Sequence, residues 1–362
     1  MITFDPDALR SRIEELDTDI SAPGFWDDAR AAGRVSAERA KLARELDLFD
    51  RLARDLDDLP TMVELADEDP SMASELTDSV RRVREEIDAF RPDFVLIWGD
   101  DQYENFREDL VPPFSIYIVD NYETQPFLKK RYNTDGSEVF NVWGEPSDNT
   151  YRHAGHPEGA KYLTTRLLEM GYPMPYGYKT LHYQGLPHAF LNTLLFLDYD
   201  RKGFPYPVLP FHVNCYGSSV IKNRGGSPLR ATPDAEPDPP APSAKLCFDV
   251  GAATARALKD SRYRAVLLGS SSWSHAFLVD KHHMLWPDNA ADLARFEELR
   301  DGKVHLWQDL AMKDIESAGQ QELLNWVCLG GALTELGAKP KIIDFVQTHI
   351  FNSSKCFMTA RA

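Results

Sequence analysis

The apolar run Phe94 to Trp98, FVLIW, stops abruptly at Gly99-Asp100-Asp101-Gln102. Five apolar residues are too few for a helix and suit a strand buried on both faces. Polar groups at the carboxyl end of such a strand lie where α/β sheets usually bind ligands. A second edge of this kind follows AVLLG, Ala265 to Gly269, as Ser270-Ser271-Ser272-Trp273-Ser274-His275. It has no Gly-x-Ser-x-Gly and so is not a nucleophile elbow. His275 is the group there that can move a proton near neutral pH. Thr180 to Leu197, TLHYQGLPHAFLNTLLFL, carries His182, Gln184 and His188. For its two histidines a pocket role competes with a core residue and a helix cap. Glu322 is the single carboxylate in the apolar stretch QQELLNWVCLGGAL. At a helix start it favours the helix dipole, a matter of a few tenths of a kcal/mol. His153 and His156 form an HxxH pair, but Pro157 stands where a first helical residue should be. That pair reads as a helix start, and His212 in PVLPFHVNCY reads as a strand residue.

The elements that must position these groups follow from the apolar pattern. Buried strands at 94–98, 207–216 and 265–269 alternate with helical stretches at 157–170, 246–258 and 320–333. This predicts an α/β fold: a central, mostly parallel or mixed sheet flanked by helices. Residues 120–149 read as a covering loop with short strands, and the Gly- and Pro-rich stretch 224–243 as an exposed loop.

Residues 1–80 differ from the rest. They hold 21 Asp and Glu against 9 Lys and Arg, a net of −12, which leaves −5 of the total −17 for residues 81–362. Leu9, Ile13 and Leu16, then Leu42, Leu46, Phe49, Leu52 and Leu56, repeat with helical spacing around the turn Pro23 to Asp28. The expectation is an N-terminal all-helical appendage, an acidic hairpin over 1–80, with a third helix from Ser71 to Phe90 and an α/β domain over 81–362.

The whole chain has 362 residues with 43% hydrophobic content, enough for a sizeable core. Its net charge argues against a nucleic-acid or anionic-membrane partner. Four scattered cysteines, 215, 247, 328 and 356, read as reduced thiols. With no long apolar span and no signal peptide, a cytoplasmic location is expected.

Two stretches resemble known families. LRSRIEELDTDISAPGFWDDARAAGRVSAERAKL and DLDDLPTMVELADED look like the N-terminal helical domain of bacterial peptide chain release factor 2, over about residues 7–75. The chain lacks that family's Gly-Gly-Gln and Ser-Pro-Phe motifs, so peptide release itself is not expected. From Val83 onward the chain resembles class III extradiol ring-cleavage dioxygenases, the catalytic subunit family of protocatechuate 4,5-dioxygenase. Asp100, Asp101, Gln102, Phe106, Val111, Pro112 and Phe114 fall on its Asn-Asp-His turn and the segment after it. Trp326, Gly331, Ala332 and Leu333 fall on its carboxylate-bearing helix. This resemblance implies a non-haem Fe(II) held by two histidines and a carboxylate, acting on an aromatic diol and O₂. It places Glu322 and Gln102 at metal positions and His275 as the acid–base residue, while Gln184, flanked by His182 and His188, falls at the substrate. Gln102 stands where that family has a ligating histidine, and no histidine precedes His153, so weak iron binding and little activity are expected. The alternatives are a catalytically silent member or an interaction protein docking through its acidic N-terminus, with homo-oligomers or a protein partner for those helices.

Overall fold

The computed structural model describes residues 6–22, 25, 28, 32–43, 46, 70–126, 145–182, 185–219, 221–222, 236–347 and 352–362. Outside them lie Trp26, the helix expected through Phe49, Leu52 and Leu56, most of the 120–149 and 224–243 loops, and Gln184. The chain divides into two compact units, Met1–Glu75 and Leu76–Ala362.

In the first unit, α1 (Pro6–Ser21) is accompanied by a helical stretch over residues 32–43, α2. Leu16 and Ala32 are buried there. Arg12 reaches Glu38 at 3.0 Å and Arg39 reaches Asp17 at 2.9 Å, so two ion pairs link the helices. Both are exposed and each adds at most about 1 kcal/mol.

The second unit is a mixed α/β sheet flanked by helices. Helix α3 (Pro70–Phe90) leads into β1 (Phe94–Gly99), then β2 (Phe114–Tyr117), β5 (Tyr176–Gly177), β6 (Val208–Val213) and β7 (Ala265–Gly269) in the order β5-β2-β6-β1-β7. Strand β1 is parallel to both β6 and β7, while β2 runs antiparallel to β6. Antiparallel ladders join β3 (Asn121–Thr124) to β4 (Tyr151–Ala154), and β8 (Lys341–Val346) to β9 (Lys355–Thr359).

All six β1 residues are buried because each face of the strand has its own cover. Phe94, Leu96 and Trp98 enter one apolar cluster, with residues of α4 (Pro157–Glu169), α6 (Ala244–Lys259) and α9 (Leu323–Leu336). Val95 and Ile97 enter the other, with Ile87 of α3 and Phe190, Leu191 and Leu194 of α5 (His188–Leu197). The period of two along the strand sorts the run onto two cores. Between α7 (Asn289–Arg300) and α9 lies the short α8 (Met312–Ser317). Among the described residues no helix is long and apolar enough to cross a membrane.

Candidate functional site

The parallel arrangement brings the carboxyl ends of β1, β6 and β7 to one edge of the sheet, and α9 begins beside it. Asp101 shapes the turn after β1. Its Oδ1 accepts the Glu104 N–H at 2.8 Å, and its carboxylate also accepts from Asn105 and Phe106. Within this turn Tyr103 takes a left-handed φ of 63°, a conformation that costs a non-glycine residue roughly 1 kcal/mol or more. Burial, then the nearby Glu104, pushes the Asp101 carboxyl up to about 7. The turn thereby carries Gln102 toward the start of α9. On the other side Asn325 donates to Ser270 O at 3.3 Å and Asp100 Oδ1 at 3.4 Å, tying α9 to the ends of β7 and β1.

Glu322, 6% exposed, is the centre of the cluster. Tyr216, just beyond β6, donates its hydroxyl to Glu322 Oε1 at 2.5 Å, and Gln102 Nε2 donates to the same oxygen at 2.8 Å. Gln102 Nε2 also lies 2.5 Å from the Tyr216 hydroxyl. The other carboxylate oxygen, Oε2, lies 3.0 Å from His275 Nε2. That is an ion-pairing distance, although the ring N–H is not aimed well enough to make a linear hydrogen bond. Asn352 Nδ2 donates to His275 Nδ1 at 2.9 Å, which leaves Nε2 to face the carboxylate. Burial by itself would raise the Glu322 carboxyl. His275 first, then Tyr216 and His188, outweigh burial and hold it down at about 2. Asp100 is displaced the other way, well above the usual carboxylate range, by burial and then by the charge of Glu322.

Three of the sequence-derived residues, Gln102, His275 and Glu322, therefore converge. His188, at the start of α5, is held by Glu104: its Nδ1 lies 2.8 Å from Glu104 Oε2 and its backbone N–H donates to the same carboxylate. Burial pulls this imidazole down, but Glu104, with Asp100 and Glu322 behind it, lifts it to about 10. Its side chain is still 38% exposed, so water reaches the ring. His182 stands apart in an exposed pair with Asp109 at 3.0 Å. Gln184 lies outside the described residues. The HxxH pair separates: His156 Nδ1 accepts the Gly159 N–H at 2.9 Å and caps α4, while His153 is buried in β4 and burial lowers its ring to about 4. His212 is buried in β6 against Phe106, and burial lowers it to about 3. Tyr216 is the member that sequence reasoning passed over, although its place at the end of the third parallel strand marks the same edge.

These donors do not fit the Fe(II) set that the resemblance implied. A ligating carboxylate needs an oxygen free for the metal, but Oε1 already takes two hydrogen bonds and Oε2 faces an imidazole. Gln102 presents its NH₂ to the cluster, which cannot ligate a cation. Among the described residues no three His, Cys, Asp or Glu side chains gather into a group that could hold a metal ion. What the cluster offers is a proton path, with an imidazole and a phenol sharing one carboxylate. Replacing Glu104 by Gln removes the main upward pull on His188, and its NMR titration midpoint is expected to fall by more than one pH unit. An unchanged midpoint would mean that Glu104 is not its controlling partner.

Comparison with known proteins places the similarity at the N-terminus. The PCRF domain family model matches residues 9–105. The chain is 40% identical over 90 residues to peptide chain release factor 2 of Mycobacterium tuberculosis, 25% of this chain and 24% of that protein. It is 39% identical over 88 residues to the release factor 2 of Mycolicibacterium smegmatis, 24% of each. It is 31% identical over 88 residues to that of Petrotoga mobilis, again 24% of each. The chain thus spans about a quarter of the length of the curated relatives it matches. The match runs past the division at residue 75 into β1.

The ring-cleaving dioxygenase reading is overturned by these findings. The matches are to the PCRF domain and to peptide chain release factor 2, and no metal group gathers among the described residues. An aromatic diol with O₂ as partner falls with it. The exclusion of nucleic acid is overturned too, because peptide-chain release is a step of translation. The charge argument failed physically because a net charge averages over the chain. With −12 confined to residues 1–80, it says little about any one surface.

Proposed function

We propose that this chain is a translation-termination-related protein that docks on the ribosome through its release-factor-like N-terminal region and does not itself release peptide. The observation that carries this reading is the similarity over residues 9–105. The missing Gly-Gly-Gln and Ser-Pro-Phe motifs support docking without release. Acidic helices of this kind are complementary to the basic proteins of a ribosome, and complementary charge chiefly speeds and orients association. The setting is the cytoplasm, where translation takes place.

The test is co-sedimentation of the full chain with ribosomes. Binding is expected at low salt, weakening as salt rises and displaced by excess release factor 2. The double variant Glu14→Lys with Asp19→Lys, two exposed positions on α1, should bind several-fold more weakly. Absence of co-sedimentation at micromolar concentrations, or binding indifferent to both release factor and charge reversal, would defeat the proposal.

A further inference from the structure

Lys355, on β9, lies beside the loop that follows β7. Its Nζ donates to Ser272 Oγ at 2.8 Å and to Ser353 Oγ at 2.7 Å. Ser353 is buried, while Ser272 is half-buried. Among the described residues no carboxylate lies within ion-pairing distance of this ammonium. Burial holds Lys355 below the ordinary lysine value, against the upward pull of Glu322 and then Asp292. An amine held by one hydroxyl and in contact with a second has the geometry of a general base beside a nucleophile. A surface lysine would be fully charged and mobile, and could not act so. Among the described residues the backbone N–H groups of Ser272 and Trp273 have no backbone acceptor, which leaves them able to donate to a developing oxyanion.

We propose that Ser272 and Lys355 form a serine–lysine nucleophilic site for acyl transfer from activated esters, with Ser353 positioning the lysine. The Lys355 amine takes the proton from Ser272 Oγ as that oxygen bonds to the acyl carbon. The bond between the acyl carbon and the leaving oxygen then breaks, and the leaving alkoxide takes the proton back from Lys355. Water, deprotonated by the same amine, next attacks the acyl-serine. A carboxylic acid leaves and Ser272 Oγ regains its proton. No oxidant, reductant or metal is needed. The site goes beyond the docking role and does not depend on it.

The experiment uses the full chain with a fluorophosphonate probe, mapping the adduct by peptide mass spectrometry, and follows p-nitrophenyl acetate hydrolysis in parallel. An adduct on Ser272 is expected. Ser272→Ala should abolish it and lower hydrolysis roughly a hundredfold or more. Lys355→Arg keeps a cation but not a base, and should lose the adduct with the fold intact by circular dichroism. The wild-type rate should rise with pH through a midpoint below 10.5, the ordinary lysine value. Ser353→Ala should shift that midpoint rather than abolish labelling, which a purely structural serine would not do. No adduct on Ser272 in folded wild-type protein, or labelling and hydrolysis unchanged in Ser272→Ala, would overturn the proposal.

Discussion

Glu322→Ala is expected to destabilise the α/β unit by about 3–5 kcal/mol, because it removes one partner from a buried charge pair and strands the others. The Tyr216 hydroxyl and the Gln102 amide would lose the oxygen they share, and His275 would lose the carboxylate it faces. For a unit of this size each kcal/mol moves Tm by roughly 2–4 °C, so a fall of about 6 °C or more is the readout. Glu322→Gln separates charge from shape, since it keeps an acceptor oxygen and fills the same space. The pH dependence gives an independent check. The folded-state value of Glu322 is depressed to about 2, from an ordinary 4.5. Its contribution is therefore fully present above 4.5 and is lost as pH falls toward 2. Between those limits wild-type stability should fall more steeply than that of Glu322→Gln. His188 works with the opposite sign. Raised to about 10 from 6.5, its contribution is present below 6.5 and is lost as pH rises through 10. Parallel acid limbs in the two proteins would mean that Glu322 carries no special charge in the folded state.

The sequence made the strands readable because each is a short apolar run whose burial depends on its own composition. FVLIW and AVLLG became β1 and β7, paired in parallel with Phe94 opposite Ala265. Parallel pairing then forces their carboxyl ends together, so the meeting of Gln102, His275 and Glu322 was foreseeable as a location. Their partners were not. The bond from Gln102 to Glu322 joins residues 220 apart in sequence, and its existence depends on how α9 seats against the sheet. Tyr216 gave no warning because an aromatic residue after an apolar strand looks like core, and in area it is core, at 2% exposure. Only its hydroxyl belongs to the site. Which atoms face the cluster is decided at the same level of detail. A glutamine in a histidine's place can offer oxygen or nitrogen, and the hydrogen-bond network presents the nitrogen. The functional class was misjudged for a different reason. The larger unit supplied most of the buried pattern, while the N-terminal helices held the similarity to known proteins.

Gly251→Ala should be a strongly damaging single methyl addition. A Cβ there would stand 1.8 Å from Cys328 O, and one on Gly331 would stand 2.0 Å from Phe248 O. In both cases the obstacle is backbone, which cannot rotate away, so α6 and α9 must separate. Helix propensity pulls the other way, because replacing glycine by alanine inside a helix gains about 1 kcal/mol. Overpacking ordinarily costs about 1–3 kcal/mol and can cost more when rigid atoms must move. The contact term wins here, and a net loss of about 2–3 kcal/mol is expected as a lower urea midpoint. Gly330 is the control, since its Cβ would meet Trp307 at 3.3 Å and Val304 at 3.6 Å, contacts a small side-chain shift relieves. Gly330→Ala should be near neutral. The double change Gly251→Ala with Gly331→Ala should cost less than the two singles together, because helices already parted by one methyl have room for the second. Parting them also lifts Glu322 and Asn325, at the start of α9, away from the ends of β1 and β7. The steep acid limb due to Glu322 should then flatten in Gly251→Ala, although that residue lies in another helix. A Gly251→Ala protein of wild-type stability, with its acid limb intact, would show that α6 and α9 do not pack this closely.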